Sequence, residues 1–238
     1  MKGFYTLAVS FLICAAVDAC ADENGAHRLF ERIQHHYETI TDYQCRIDTY
    51  CRDGRREEHR ILNFYFKRPR LIRIDLLWGN KPFDNGSVGV FTGGDAITGH
   101  RGGFLSGLVM TIPKKSPMAT TLRGEAFDDI DMEAVLEKLY FYIDNGSVRI
   151  REEGRFYRIV CVPFDVNKNG GITKDIARFD RNTLIITGFQ RYEAHGLVQE
   201  AVWTDYIINA GLPDRLFDVK CDPKSLKQVG IPLLRQDL

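Results

Sequence analysis

Six histidines, six cysteines and 32 acidic residues supply the raw material for chemistry in this 238-residue chain. Their spacing assembles little of it. His27, His59, His100 and His195 are scattered between turns and strand ends, and nothing couples any of them to a nucleophile. His35 and His36 are neighbours on a predicted helix, about 100° apart around its axis, so they do not form a paired ligand set. No G-x-S-x-G, H-E-x-x-H or C-x-x-C is present. Asp128, Asp129 and Asp131 open a predicted helix, where carboxylates suit the positive end of the dipole; a metal-binding acidic cluster is the sharper alternative. The run Asp165–Gly170 imitates the start of a calcium loop, but its twelfth position is Ile176 rather than a bidentate Glu. Gly102–Gly107 is glycine-rich yet lacks the Lys-Ser/Thr ending of a phosphate loop. No catalytic residue, metal or cofactor is expected, and a hydrolase built on His100 or His195 is the enzyme alternative.

The chemistry that stands out is apolar. In Ile61–Trp78, residues Leu62, Phe64, Phe66, Ile72, Ile74 and Leu76 share one parity, which places them on one face of a sheet. Arg68 falls on that face beside Pro69. Two readings stay open: a buried arginine with a partner, since an unpaired buried charge is costly, or a strand broken by Pro69 with Arg68 turned to solvent. Nine basic residues, Arg46, Arg52, Arg55, Arg56, Arg60, Lys67, Arg68, Arg70 and Arg73, crowd around this stretch. They read as a solvated strand face studded with arginine, the alternative being a patch for lipid phosphates. Basic and acidic residues balance at 32 each, which argues against a general nucleic-acid binder.

The N-terminus reads as an export signal: Lys2, then the apolar run Phe4–Val17, too short for a comfortable membrane span. Cleavage after Ala19-Cys20-Ala21 would leave residues 22–238 as one domain. Val17-Asp18-Ala19-Cys20 alternatively resembles a lipobox, with lipid on Cys20. In an oxidising compartment Cys45, Cys51, Cys161 and Cys221 are candidate disulfide partners. Cys45 and Cys51 share a strand face about 20 Å apart and could not pair with each other. Buried free thiols are the other reading.

The elements that would position these residues follow in order. Asp22–Ile40 is predicted as an amphipathic helix with Leu29, Ile33, Tyr37 and Ile40 on one stripe. Asp42–Arg52 is a strand, Asp53-Gly54 a hairpin turn, and Ile61–Trp78 a Pro-broken strand pair. Ser87–Gly99 reads as two short strands. A short helix is predicted from Pro117, and a longer one over Asp128–Tyr142 with Met132, Val135, Leu136 and Leu139 on its stripe. From Ser147 the chain is strand and turn. The fold class is α+β, with about eleven strands and three helices in one domain dominated by antiparallel sheet. Such a sheet either fills its inner side with core or leaves a cavity for an apolar ligand.

Lys67-Arg68-Pro69, followed by Leu71-Ile72-Arg73-Ile74, resembles the K-R-P…F-R-W segment of the LolA/LolB-like periplasmic lipoprotein carriers. Element order is also similar: signal, helix, strand hairpin, this motif, a glycine-bearing hairpin, a proline-led helix pair, then strands. His100–Gly103, Phe189–Gly196, Trp203–Tyr206 and Asn209–Phe217 extend the resemblance, closest to an uncharacterised bacterial branch, over about Ala26–Asp218. It implies a half-open antiparallel barrel with a helical lid over an apolar inner face that receives acyl chains. It also implies that Arg68 is the latch that hydrogen-bonds the lid. Two positions depart from the pattern: Ile74 stands where the family has Trp, and Gly94-Asp95-Ala96-Ile97-Thr98 replaces its D-G-x-x-L-W strand. The expected function is non-enzymatic binding or carriage of lipid or acylated protein by an exported monomer, with Leu62, Phe64, Phe66, Ile72, Ile74 and Leu76 as cavity wall. An envelope membrane-protein partner is expected as well. The alternative is an envelope interaction module whose cavity is filled.

Overall fold

The computed structural model describes residues 23–126, 128–227 and 230–236. The export signal and Cys20 lie outside the described residues. Among the described residues eleven strands, β1 (Asp42–Asp53), β2 (Arg56–Lys67), β3 (Leu71–Gly79), β4 (Val88–Phe91), β5 (Ala96–His100), β6 (Met110–Pro113), β7 (Gly146–Glu153), β8 (Phe156–Pro163), β9 (Lys174–Asp180), β10 (Ile186–Glu193) and β11 (Gly196–Ile208), form one sheet in which every neighbouring pair is antiparallel, in the order β6-β5-β4-β3-β2-β1-β11-β10-β9-β8-β7. The outermost strands, β6 (Met110–Pro113) and β7 (Gly146–Glu153), do not close on each other, so the barrel is half open. Two meanders, β1–β6 and β7–β11, meet where β1 (Asp42–Asp53) pairs with β11 (Gly196–Ile208), as in Tyr43 opposite Ile208.

Alternation decides the faces. On β2 (Arg56–Lys67) and β3 (Leu71–Gly79), Leu62, Phe64, Phe66, Ile72 and Leu76 are buried inward as their parity predicts, with Ile74 half-buried beside them. They meet α1 (Glu23–Glu38), whose predicted stripe of Leu29, Ile33 and Tyr37 is buried together with Phe30, while Ile40, the last stripe residue, lies just beyond the helix end. Helix α2 (Met132–Asn145) adds Met132, Val135, Leu136 and Leu139, and it meets α1 through Phe30 against Tyr140 at 5.4 Å. Each such side chain contributes about 1.5–3 kcal/mol through burial. Together they fill the inner face along β7–β11, with Ile159, Phe179, Ile186, Phe189 and Trp203 from the sheet.

The outer face of β1–β4 is not the solvated arginine surface that composition predicts. Residues 210–227 and 230–236 fold back across it and bury Tyr65 and Val90 against Leu212, Leu216, Phe217, Leu226 and Leu233. Arg73 is 2% exposed; it ion-pairs Asp75 at 2.6 Å and donates to the Leu216 and Asp218 carbonyls at 2.9 Å each. Gln44 and Asn63 likewise bond the tail backbone at Pro232, Leu234 and Arg235. Polar side chains fit under this cover because the tail's own peptide groups satisfy them.

Two local expectations are corrected. The segment from Pro117 is a series of turns, not a helix; the third helix is instead α3 (Pro223–Lys227), in the tail. Cys45, Cys51, Cys161 and Cys221 are free thiols, not disulfides. They sit in separate surroundings: Cys45 in the inner core within reach of Tyr206, Cys161 in that core on β8 (Phe156–Pro163), Cys51 beside Thr121 and Arg123, and Cys221 within the tail on the outer face. Burial raises the pKa of Cys45 and Cys161 well above the ordinary thiol value, which keeps both unreactive.

Candidate functional site

Where the core stops, the inner face opens into a cleft of 320 Å³. Its floor is the β1–β6 half of the sheet: Leu62, Ile74 and Leu76 from the predicted row, with Ile97 on β5 (Ala96–His100) and Met110 and Ile112 on β6. Phe64, Phe66 and Ile72 lie deeper, packed under α1. The roof is the strap 114–131, the irregular crossing from β6 to α2, which contributes Pro117, Met118, Ala119, Ala126 and Ile130. The wall is thus mostly apolar. One end is polar, with Arg60, Lys81, Asp84, His100 and Arg101. An apolar pocket with a few polar groups at one end is the usual form of a small-molecule site, and 320 Å³ is near its lower size limit.

Ion pairs fasten the strap. Glu125 accepts from Lys138 at 3.1 Å and Gln199, and faces Arg191 at 3.5 Å. Arg123 pairs with Glu193 and donates to the Arg52 carbonyl at 3.2 Å. Asp128 accepts from Lys114 at 3.0 Å and Arg70 at 3.5 Å. Asp131 caps α2, accepting from the Ala134 amide at 2.8 Å; its burial pushes the carboxyl up to about 6. Arg191 and Tyr142 also hold Asp175 at the sheet, a buried carboxyl raised by desolvation against the pull of Arg191. The acidic cluster at 128–131 is therefore a set of strap anchors and a helix cap.

Arg68 points inward and has a partner. Its Nε donates to the Ile40 carbonyl at 2.8 Å and its Nη2 to the Tyr37 carbonyl at 2.9 Å, and the guanidinium lies 4.7 Å from the Tyr37 ring centroid. The Tyr37 carbonyl is in the last turn of α1, where the Ile40 amide also bonds it at 3.0 Å, and the Ile40 carbonyl lies just beyond the helix end. Desolvation raises the Tyr37 hydroxyl far above its ordinary value. The cleft wall is drawn from β1–β6 and the strap; Arg68 of the K-R-P motif holds α1, and Arg70, just outside that motif, reaches the strap through Asp128.

The histidines assemble no catalytic group. The His100 ring meets the Arg101 carbonyl at 3.1 Å. His195 lines a shallow outer groove with His59, which pairs with Asp48 at 2.6 Å. The hydroxyl in that groove, on Tyr50, donates to Glu57. The calcium-like run is a hairpin turn in which Asp165 accepts from the Asn167 amide.

No family model and no curated protein matches this chain. Solved structures do. An uncharacterised conserved protein from Thermus thermophilus superposes with a TM-score of 0.50 at 13% identity, over 84% of this chain and 94% of that one. The fold is shared with that protein. A putative outer membrane lipoprotein-sorting protein domain from Vibrio parahaemolyticus gives 0.43 at 12% identity, over 83% and 97%. A LolA superfamily protein from Nitrosomonas europaea gives 0.40 at 10%, over 81% and 96%. At these identities the likeness is one of fold.

Sequence reasoning missed most of the roof. Strap residues lie in no periodic element, and Glu125 and Asp128 are ordinary surface carboxylates until their partners come from distant strands. Three of the six predicted wall residues reach the cleft, because the half-barrel is deeper than one side chain and α1 covers the rest.

Proposed function

We propose that this protein binds one acyl chain in the cleft between the β1–β6 half-sheet and the strap, without catalysing a reaction. The observation that carries this reading is the 320 Å³ apolar cleft with its single polar end. Its size suits one chain rather than several. Carriage of a lipid or acylated protein in the cell envelope fits such a site together with the export signal read at the N-terminus, and an envelope membrane protein would then deliver or receive the cargo. Arg68 is proposed to act through α1, keeping the helical cover seated on the sheet. The zero net charge supports a cargo other than nucleic acid.

A second reading has its own support. The inner face along β7–β11 is filled by α1 and α2, so the fold could serve as an interaction module with a residual cleft. Gentle native mass spectrometry of the full chain separates the two. A retained adduct of lipid mass supports the binder; a bare polypeptide that also fails to take up a neutral apolar probe supports the module.

A further inference from the structure

The polar end of the cleft is built rather than incidental. Arg60, Lys81 and Arg101 come from β2, the β3–β4 loop and the end of β5, and all three line the cleft. Beneath them lie two buried carboxylates, Glu58 and Asp84. Arg60 bridges both, 3.0 Å from Glu58 and 3.4 Å from Asp84; Lys81 pairs with Glu58, and Arg101 lies 3.5 Å from Asp84. Three cations against two carboxylates leave one positive charge in excess at the end of an apolar wall. Glu125, the other carboxylate of the wall, is neutralised outside the cleft by Lys138 and Arg191.

The loops that carry these cations are locked together. The Phe83 carbonyl accepts from the Gly102 amide at 2.9 Å, from Ser87 Oγ at 2.7 Å and from Arg101 Nε at 3.5 Å. Arg101 also donates to the Pro82 carbonyl at 2.5 Å. A Cβ on Gly102 would lie 1.7 Å from the Asn85 carbonyl oxygen, so only glycine permits this contact. Phe83 itself is held at φ 62, an uncommon conformation for a bulky residue and one found at sites the surroundings over-determine. Buried acids orient the cations from below, and the loops fix them from behind. Such an arrangement offers oriented donors to an anion with little further ordering.

We infer that the acyl-chain ligand carries an anionic head, a carboxylate or a phosphate, and that Arg60, Lys81 and Arg101 are its receptor. This rests on the acyl-chain reading above. It adds a polarity to the cleft: the tail lies along Leu62, Ile97 and Ile112, and the charged head meets the three cations.

The test is displacement of the neutral probe N-phenyl-1-naphthylamine from the full chain by matched twelve-carbon ligands. Dodecanoate and dodecyl phosphate are expected to compete about tenfold more tightly than dodecanol, and dodecyltrimethylammonium more weakly than dodecanol. Inorganic phosphate alone is expected to compete far less well than dodecyl phosphate. In Arg101→Gln and Lys81→Gln the ratio of anion to dodecanol affinity should shrink to about twofold. Both variants leave Arg60 bridging Glu58 and Asp84, and a thermal melt checks each fold independently. Equal binding of dodecanol and dodecanoate overturns the inference while leaving the acyl-chain reading intact. So does an anion preference unchanged in both folded variants, or inorganic phosphate that matches dodecyl phosphate. Failure of the neutral probe and every ligand to bind overturns the acyl-chain reading itself, and the head-group inference with it.

Discussion

The Arg68 guanidinium donates to the backbone carbonyl of Tyr37 at 2.9 Å while lying 4.7 Å from the centroid of that residue's ring. One side chain thus adds a second donor to a last-turn carbonyl of α1, which the Ile40 amide also bonds at 3.0 Å, and stacks on the aromatic residue that α1 inserts into the core. Arg68→Leu removes two charge-assisted hydrogen bonds and is expected to cost about 2–3 kcal/mol of stability, measured by urea unfolding. Arg68→Lys should recover less than half, because one ammonium cannot match the fork that reaches both carbonyls. The proposed role in ligand retention is read separately, from probe release rates. A release rate in Arg68→Leu equal to that of the native chain leaves Arg68 a helix anchor and nothing more.

The strap is where movement would admit a ligand. Glu125 gathers Lys138, Arg191 and Gln199 from α2, β10 (Ile186–Glu193) and β11 onto one carboxylate. Glu125→Gln keeps the shape and removes the charge. Amide hydrogen exchange across 114–131 is expected to accelerate by about tenfold, with α1 unaffected. Acceleration spread equally over the whole sheet would show that Glu125 supports the fold at large rather than the strap.

Asp131 gives a pH signature. Its carboxyl sits at about 6 in the folded chain against an ordinary 3.8. A raised carboxyl binds its proton more tightly when folded, so its stabilising contribution is full below about pH 4 and is lost as pH rises through about 6. Asp131→Asn keeps a good helix cap without the buried charge. The variant should melt at the same or higher temperature near about pH 7.5 and show a flatter profile between about pH 4 and 7. A lower melting temperature throughout, with the slope unchanged, would contradict this assignment.

On the outer face, Arg73 and Asp75 form a buried pair that the tail seals. Desolvation raises the Asp75 carboxyl, and Arg73 opposes that shift. Arg73→Leu leaves the aspartate without its cation and should cost about 3–5 kcal/mol, whereas Arg73→Leu with Asp75→Leu should recover a large part of it. A double variant no more stable than the single one would mean that the tail contacts of Arg73, not the pair, carry the energy.

Much of the sheet was legible because its residues alternate and its turns carry glycine. Leu62, Phe64, Phe66, Ile72, Ile74 and Leu76 face inward as parity dictates, β1–β5 fall close to their predicted runs, and β7–β11 occupy the stretch from about Ser147 that reads as strand and turn. The strand β6 did not show, because four residues ending in proline carry too little period. The outer face misled for a physical reason. Gln44, Asn63 and Arg73 look solvated in sequence, and they are buried because a tail 143 or more residues further along supplies backbone partners; Asp75 is buried with them through Arg73. The cleft itself was half legible. Its floor follows strand periodicity, but its roof is an irregular strap and its polar end combines residues that only the β2–β5 hairpins bring together.

The central claim is an open acyl-chain site under the strap, and one substitution tests it directly. Ala119 lies half-buried in the roof, and Ala119→Trp would fill the cleft from a loop that can absorb the added bulk. Saturable binding of the neutral probe by the native chain is expected, with a Kd on the order of 1 μM, weakened at least about tenfold in Ala119→Trp at an unchanged melting temperature. Equal binding by both proteins, or no saturable binding by the native chain, would contradict it.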